Sequence, residues 1–449
     1  MAKVAPPVAG SGSDTAAPPI SPFRQWYMVA ALTLVGIVAG VDRHCLSLLA
    51  PLIKRDLALS DAQVSMLVGL SFTLFNTLTA LPMGWLLDRY NRKRLTIGGA
   101  AAWSAITTAC GFATNFNQLF VGRAGTGFAE GGLQPAAFSL IRDTMAPASR
   151  GRAFAFFSAS AGLSASVAML VGGALVAAVG QDQTWVLPVV GEMRAWQVVL
   201  VAIGLGGLPF TALLFPIIEP PRPAEDGRPK VGGYREALAY MAERRRLFVP
   251  LLLFGALFMS MSSAAVAWIP SVVNRSYSMS VSHIGFSLAL ILAVFPPAGV
   301  VSAGFIIDRL VAKGRPDTPA TVGFGLTLAI LVPILGMPLA PSIGWFWVFM
   351  AAFFFLAGMY LPVWQTLLAR LAPPSASGKA SALFAFIFAL VGGGIAPVAV
   401  GAMADRLFSG QHALGQALAA WSLITVAGAC AAVFLLKLRL KDLGDTGDA

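Results

Sequence analysis

Gly84-Trp85-Leu86-Leu87-Asp88-Arg89-Tyr90-Asn91-Arg92-Lys93-Arg94 closes one long apolar segment and opens the next. The frame returns 220 residues later as Gly304-Phe305-Ile306-Ile307-Asp308-Arg309, followed by Lys313-Gly314-Arg315. Each copy begins in the last turn of an apolar run and passes through a short basic loop. A repeat at matching places in two hydrophobic halves marks a duplicated membrane bundle, and its loops are where one half would rock against the other.

Working outward, the 449-residue chain is 57% hydrophobic and only 11% charged, with mean hydropathy +0.76. Soluble domains average roughly 25% charged residues. Many windows reach the ~20 apolar residues that cross a bilayer core, and they lack the polar face a soluble helix shows every 3.6 residues. The fold class is therefore all-α integral membrane protein. Spans are predicted over 25–53, 62–87, 95–113, 116–141, 152–180 and 195–218, then 247–273, 283–307, 318–340, 343–369, 379–404 and 412–436.

This is a six-plus-six layout. A disordered tail (1–24) precedes a first bundle (25–218), a cytoplasmic linker (219–246), a second bundle (247–437) and a short tail (438–449). The linker carries Pro220-Pro221, Pro223 and Pro229, then a stretch from Tyr234 to Arg246 that reads as a basic amphipathic helix.

A net charge of +11 invites a nucleic-acid partner, but the distribution excludes one. Of 31 Lys and Arg, 24 fall on the tails and even-numbered loops and 5 on the odd-numbered loops. That bias places both termini in the cytoplasm, and a bacterial inner (plasma) membrane is the expected location. The two remaining cations, Arg43 and Arg123, lie inside spans.

No metal site or cofactor is expected: Cys45, Cys110 and Cys430 stand apart, as do His44, His283 and His412. Enzymatic chemistry is disfavoured, because no nucleophile–base pair appears and Gly125-Thr126-Gly127 lies in a span, not between a strand and a helix.

A second repeat supports the duplication. Gly151-Arg152-Ala153-Phe154-Ala155 opens span 5 and Gly378-Lys379-Ala380-Ser381-Ala382 opens span 11. Both spans then carry glycine runs, Gly172-Gly173 and Gly392-Gly393-Gly394, which predict closely packed gating helices.

The first loop, with Arg123-x3-Gly127 and Pro135 in span 4, resembles the signature pattern of the major facilitator superfamily. The resemblance implies twelve transmembrane helices in two pseudo-symmetric six-helix bundles working by alternating access. Within that superfamily, Asp42-Arg43, the Gly84–Lys93 stretch, and Arg123 followed seven residues later by Glu130 look like the Spinster branch. Those proteins move lysophospholipids and sphingosine-1-phosphate. The anion:cation symporters share the Asp-Arg and Arg…Glu features, so a small organic anion stays open as the substrate. Asn91 departs from the Gly that many members carry there.

Asp42, Arg43, Arg123 and Glu130 are, apart from His44, the ionisable residues placed well inside the spans. Each charge at the bilayer centre costs about 2.5–3.5 kcal/mol on insertion scales, so the four are candidates for substrate binding and proton coupling. Their charges sum to zero, allowing two ion pairs. Asp42 is expected to face the central cavity and reach helix 4. Arg43 is left to pack toward a neighbouring helix or to meet Glu130 from the side.

The candidate gate comprises Gly84, Asp88, Arg89 and Arg92 with Gly304, Asp308, Arg309 and Arg152. The resemblance implies that Asp88 meets the start of helix 11, and pseudo-symmetry sets Asp308 against the start of helix 5. In the second half, Ser263, Asn274, Tyr360, Trp364 and Gln365 are candidate cavity-lining residues. A charged half facing an apolar half suits an anionic amphipathic substrate drawn from membrane lipids and moved with protons, by a monomer. A proton-coupled symporter of a small organic anion is the alternative, and a multidrug exporter the third reading.

Overall fold

The computed structural model describes residues 20–188, 190–220, 234–311 and 318–445. The expected N-terminal tail up to residue 19, most of the linker prolines, Lys313-Gly314-Arg315 and the last four residues lie outside the described residues.

The helices follow the hydropathy closely. In the first half they are α1 (Pro22–Asp56), α2 (Asp61–Ser65, Met66–Leu70 and Ser71–Arg89 in continuous register), α3 (Arg92–Cys110), α4 (Phe116–Glu130, resuming as Leu133–Thr144), α5 (Pro147–Val179) and α6 (Ala195–Ala212). The second half contains α7 (Arg245–Tyr277), α8 (Val281–Val311), α9 (Thr318–Ala329 and Leu331–Gly336), α10 (Ile343–Leu371), α11 (Pro374–Phe388, Ala389–Ile395 and Ala396–Leu407) and α12 (Ala413–Asp445). Ten of these are long and apolar enough to cross a bilayer. The other two are α3, which opens on three cations, and α4, which is interrupted by Gly131-Gly132.

Helix ends follow local chemistry. Pro22, Pro147 and Pro374 occupy first helical positions, where the missing N–H loses no bond. Ser60 and Gln63 form a capping box at the start of α2. Asn91, the departure from Gly, caps α3 by accepting from the Arg94 N–H at 2.7 Å.

Two features were not expected from the sequence. A hairpin, β1 (Thr184–Leu187) with β2 (Gly191–Arg194), joins α5 to α6. Residues Met66–Leu70 of α2 and Ala389–Ile395 of α11 wind as π-helix, a local overwidening that recurs at functional sites.

Small residues set the packing. The matched glycine runs divide their labour in the same way in each half. Gly172 backs onto Cys45 of α1 and Gly392 onto Ser263 of α7, inside their own bundles. Their neighbours cross between bundles: Gly173 meets Gly285 of α8, and Gly393 meets Gly69 and Thr73 of α2. A Cβ on Gly69 would lie 2.6 Å from the Gly393 carbonyl, and one on Gly285 2.6 Å from the Met169 carbonyl.

The linker's Tyr234–Glu243 is helical, as the sequence predicts, and Tyr240 anchors it by donating to the Leu371 carbonyl at 3.1 Å. The face of the protein where α1 begins and α12 ends is called the basic face below; the opposite one is the far face.

Candidate functional site

Glycine contacts carry the four charges of the spans to one place. Gly127 and Gly131 of α4 lie against the backbone of α2 at Phe72 and Asn76, and Asn76 donates to the Gly127 carbonyl at 3.3 Å. Gly36 and Gly40 seat α1 on Ser160 and Ser164 of α5. Such small-residue seams let helices approach closely, and they aim α1 at α4.

Asp42 and Arg123 form the inner pair. Arg123 Nη1 lies 3.4 Å from each Asp42 oxygen, and Thr107 donates to Asp42 at 2.9 Å. Both charged residues are almost fully buried, at 2% and 1% exposure. The expectation that Asp42 faces the cavity is therefore corrected: it reaches α4, but from inside the bundle. Arg43 is the residue that faces the open space. It pairs with Glu130, while 41% of its side chain stays exposed. Consecutive side chains diverge by about 100° around a helix, which sends Asp42 inward and Arg43 to the cavity wall.

Phe72 of α2 joins the pairs. The Arg43 and Arg123 guanidinium carbons lie 4.7 and 5.2 Å from its ring centroid, so one aromatic ring is shared by two cations. Arg43 Nε, Arg123 Nε and Nη2, and Glu130 Oε2 have no protein partner among the described residues. Unmade hydrogen bonds at buried charged groups cost more than ~1–3 kcal/mol each. The site is thus built with spare donors and one spare acceptor.

Arg43 and Glu130 line a cavity of about 240 Å³ with Asn76, Gln134, Ser160 and Ser164. It adjoins a cavity of about 470 Å³ that is lined by Gly84, Asp88 and Arg142, the two sharing Pro135 and Phe138. Together they lead from the charged pair to the basic face. A larger cavity of about 510 Å³ sits at the far end of the second half, among α7, α9, α10 and α12, and touches none of the four charges.

The candidate gate residues stand apart from the partners expected for them. Among the described residues Asp88 makes no hydrogen bond or ion pair, and a Cβ on Gly84 or Gly304 would meet nothing within 4 Å. Asp308, Arg309 and Arg152 are exposed, and among the described residues no hydrogen bond or ion pair joins Asp308 to the start of α5. Arg89 lies over the Trp85 ring at 4.2 Å.

Arg92 departs from its expected gate position. It is 2% exposed and clamps the first half together, reaching Asp143 of α4, Ser139 at 2.9 Å, Glu219 at 3.0 Å and the Pro220 carbonyl at 3.1 Å. Glu219 also accepts from the Arg92 and Lys93 backbone N–H groups, an anion stabilising the α3 N-terminus.

The second-half candidates separate. Ser263 touches Gly392. Tyr360 stacks on Phe258 and Trp364 packs edge-on against Phe384 and Phe388, and neither polar atom has a partner among the described residues. Gln365 is exposed. Asn274 is corrected: it donates to the Met279 carbonyl at 2.9 Å at the far end of α7 and is not among the residues lining the cavities described above.

The far face is shut by residues that the sequence reading did not select. Arg275 of α7 grips Asp61 of α2 with both arms, one at 2.8 Å, and Lys54 adds 2.6 Å. Arg55 binds Asp182 at 2.6 Å, holding that loop carboxyl below the usual carboxylate range. No motif announces these residues, because single charges at span ends are ordinary. Phe72 and Thr107 left no signal either, being unremarkable residues in apolar helices.

A bundle of this kind, closed at one face and open at the other around buried ion pairs, defines a secondary carrier. The comparisons agree. The Major Facilitator Superfamily profile matches residues 32–397, and the chain belongs to that family. It is 27% identical to an MFS-type efflux pump of Mycolicibacterium smegmatis over 402 residues, covering 88% of this chain and 89% of the other. It is 24% identical to a D-galactonate transporter of Escherichia coli, covering 92% and 96%. A spinster homolog 3 of Danio rerio is 27% identical over 263 residues, 57% of this chain and half of that one. In three dimensions it is similar to a bacterial homolog of the human lysosomal transporter Spinster, in an inward-facing, unoccupied conformation. The TM-score is 0.80 at 24% identity, covering 94% of this chain and 98% of that one.

Proposed function

We propose that this carrier moves a single-chain anionic lipid of the lysophospholipid class by alternating access, coupled to protons, with its basic face in the cytoplasm. The observation carrying this reading is the Arg43–Glu130 pair on the wall of an open cavity, with guanidinium and carboxylate atoms still lacking partners. A phosphate headgroup satisfies spare arginine donors in a forked, charge-assisted geometry. The second half sets no charge against this cavity and packs Trp364, Phe384 and Phe388 as an apolar aromatic cluster, in keeping with an amphipathic substrate.

Proton coupling follows from competition for one arginine. While Glu130 is ionised it holds Arg43. A proton on Glu130 weakens that pair and releases Arg43 to an anion; loss of the anion restores the pair and expels the proton. Asp42 and Arg123, buried behind them and tied by Thr107, hold the α1–α4 geometry while the front pair exchanges.

The second reading, a small hydroxylated organic anion, draws on the Asn76, Gln134, Ser160 and Ser164 lining and on the galactonate relative. Proteoliposomes carrying purified protein decide between them. Labelled lysophosphatidylglycerol should be taken up saturably, faster under a pH gradient, with no competition from D-galactonate. Galactonate uptake without lysolipid uptake would establish the second reading instead.

A further inference from the structure

The far end of α11 reads Gly401-Ala402-Met403-Ala404-Asp405-Arg406. This is the Gly-x3-Asp-Arg frame of the two gate loops, now at the opposite face of the molecule and with no basic loop behind it. Its two working residues are engaged. Asp405 accepts from the backbone N–H groups of Asp61 at 3.1 Å and Ala62 at 2.8 Å, so a carboxylate of the second half caps the N-terminus of α2 in the first. Gly401 permits the approach: a Cβ there would lie 2.6 Å from the Asp61 carbonyl.

The other end of the same helix pair carries the same device in reverse. Gly84 and Asp88 stand at the opposite end of α2, where they line an open cavity. The quasi-equivalent pair repeats the far-face contact in neutral form, since Gln181, just beyond α5, accepts from the Val281 N–H that starts α8, at 3.1 Å.

We propose that Asp405 on the α2 N-terminus is a latch that closes the far face, the counterpart at the other end of this helix pair to the Asp88–α11 contact that the family resemblance implies for the basic face. The two close alternately. An anion at a helix N-terminus is stabilised by the unpaired N–H groups and the helix dipole. Rocking about the Gly69–Gly393 crossing that lies between the two ends must separate one latch as it brings the other together. The inference rests on the chain being a rocking carrier and is independent of what it carries.

The test measures conformation without substrate. On a background with Cys45, Cys110 and Cys430 changed to Ala, spin labels at Ala58→Cys and Ser409→Cys report the far-face distance by double electron–electron resonance in nanodiscs. Asp405→Asn should raise the far-face-open population by about two- to fivefold, the equivalent of one helix-terminus charge contact. Asp88→Asn should never raise it, and the double variant should fall back toward the parent. Gly401→Ala, which wedges the same contact without touching a charge, should act in the same direction as Asp405→Asn and serves if that variant fails to fold. An unchanged distance distribution in Asp405→Asn or Gly401→Ala, or a shift in the same direction for Asp88→Asn, overturns the proposal.

Discussion

Arg43 and Asp42 are neighbours in the chain but serve different partners, and the division assigns their variants different phenotypes. Arg43→Ala removes the cation that faces the cavity. Substrate affinity should fall about 10- to 100-fold, the worth of one or two hydrogen bonds to a charged group, as read by equilibrium binding of a labelled lysolipid. Glu130→Gln mimics the protonated acid. Binding should persist while the response of uptake to an imposed pH gradient disappears; a gradient-driven rate equal to the parent's would remove Glu130 from the coupling. The sequence made these four residues visible because charges are rare in apolar spans. It did not say which acid pairs with which base, since that depends on the rotation of α1 about its axis. That rotation is fixed by Gly36 and Gly40 against Ser160 and Ser164, contacts with no signature beyond small size.

At the scale of elements, span limits and the duplication were legible because both rest on hydropathy and on spaced glycines. The π-helical stretches and the hairpin were not, because an extra residue in a helical turn leaves the apolar pattern almost unchanged. The third Gly-x3-Asp-Arg frame was present in the sequence but lacked the basic loop that made the other two noticeable. Gly285 gives a clean test of close packing. Gly285→Val would drive its side chain into the Met169 carbonyl and Gly173, so α8 should be held off α5. Transport should fall at least tenfold, and labelling of Ser282→Cys by a membrane-impermeant maleimide should rise; parent-like transport would show the contact to be dispensable. Arg92 acts inside one half, and removing one partner of a buried pair typically destabilises by about 3–5 kcal/mol. Arg92→Ala should therefore lower the apparent Tm in detergent, whereas a variant that lost transport with an unchanged Tm would return Arg92 to the gate.

The whole molecule is polarised, with cationic loops on one face and acid-centred closures on the other. If the charge bias sets orientation, a single cysteine at Lys93 should be protected from an impermeant maleimide in intact cells and one at Asp182 should react. The reverse pattern would invert every directional statement above. Orientation also decides what opens where: the cavities that reach Arg43 open on the basic face, while Asp61, Arg275 and Asp405 seal the far one.

The four-charge cluster has an electrical meaning. Asp42, Arg43, Arg123 and Glu130 cancel, so the unloaded carrier presents no net charge to a membrane field that weighs about 2.3 kcal/mol per elementary charge at 100 mV. A monoanion accompanied by one proton leaves that balance intact. Both legs of the cycle then run without moving current, and a potassium–valinomycin potential imposed on proteoliposomes should leave lysolipid uptake unchanged while a pH gradient accelerates it. A voltage-dependent rate would instead reveal a second proton or an uncompensated anion in the step.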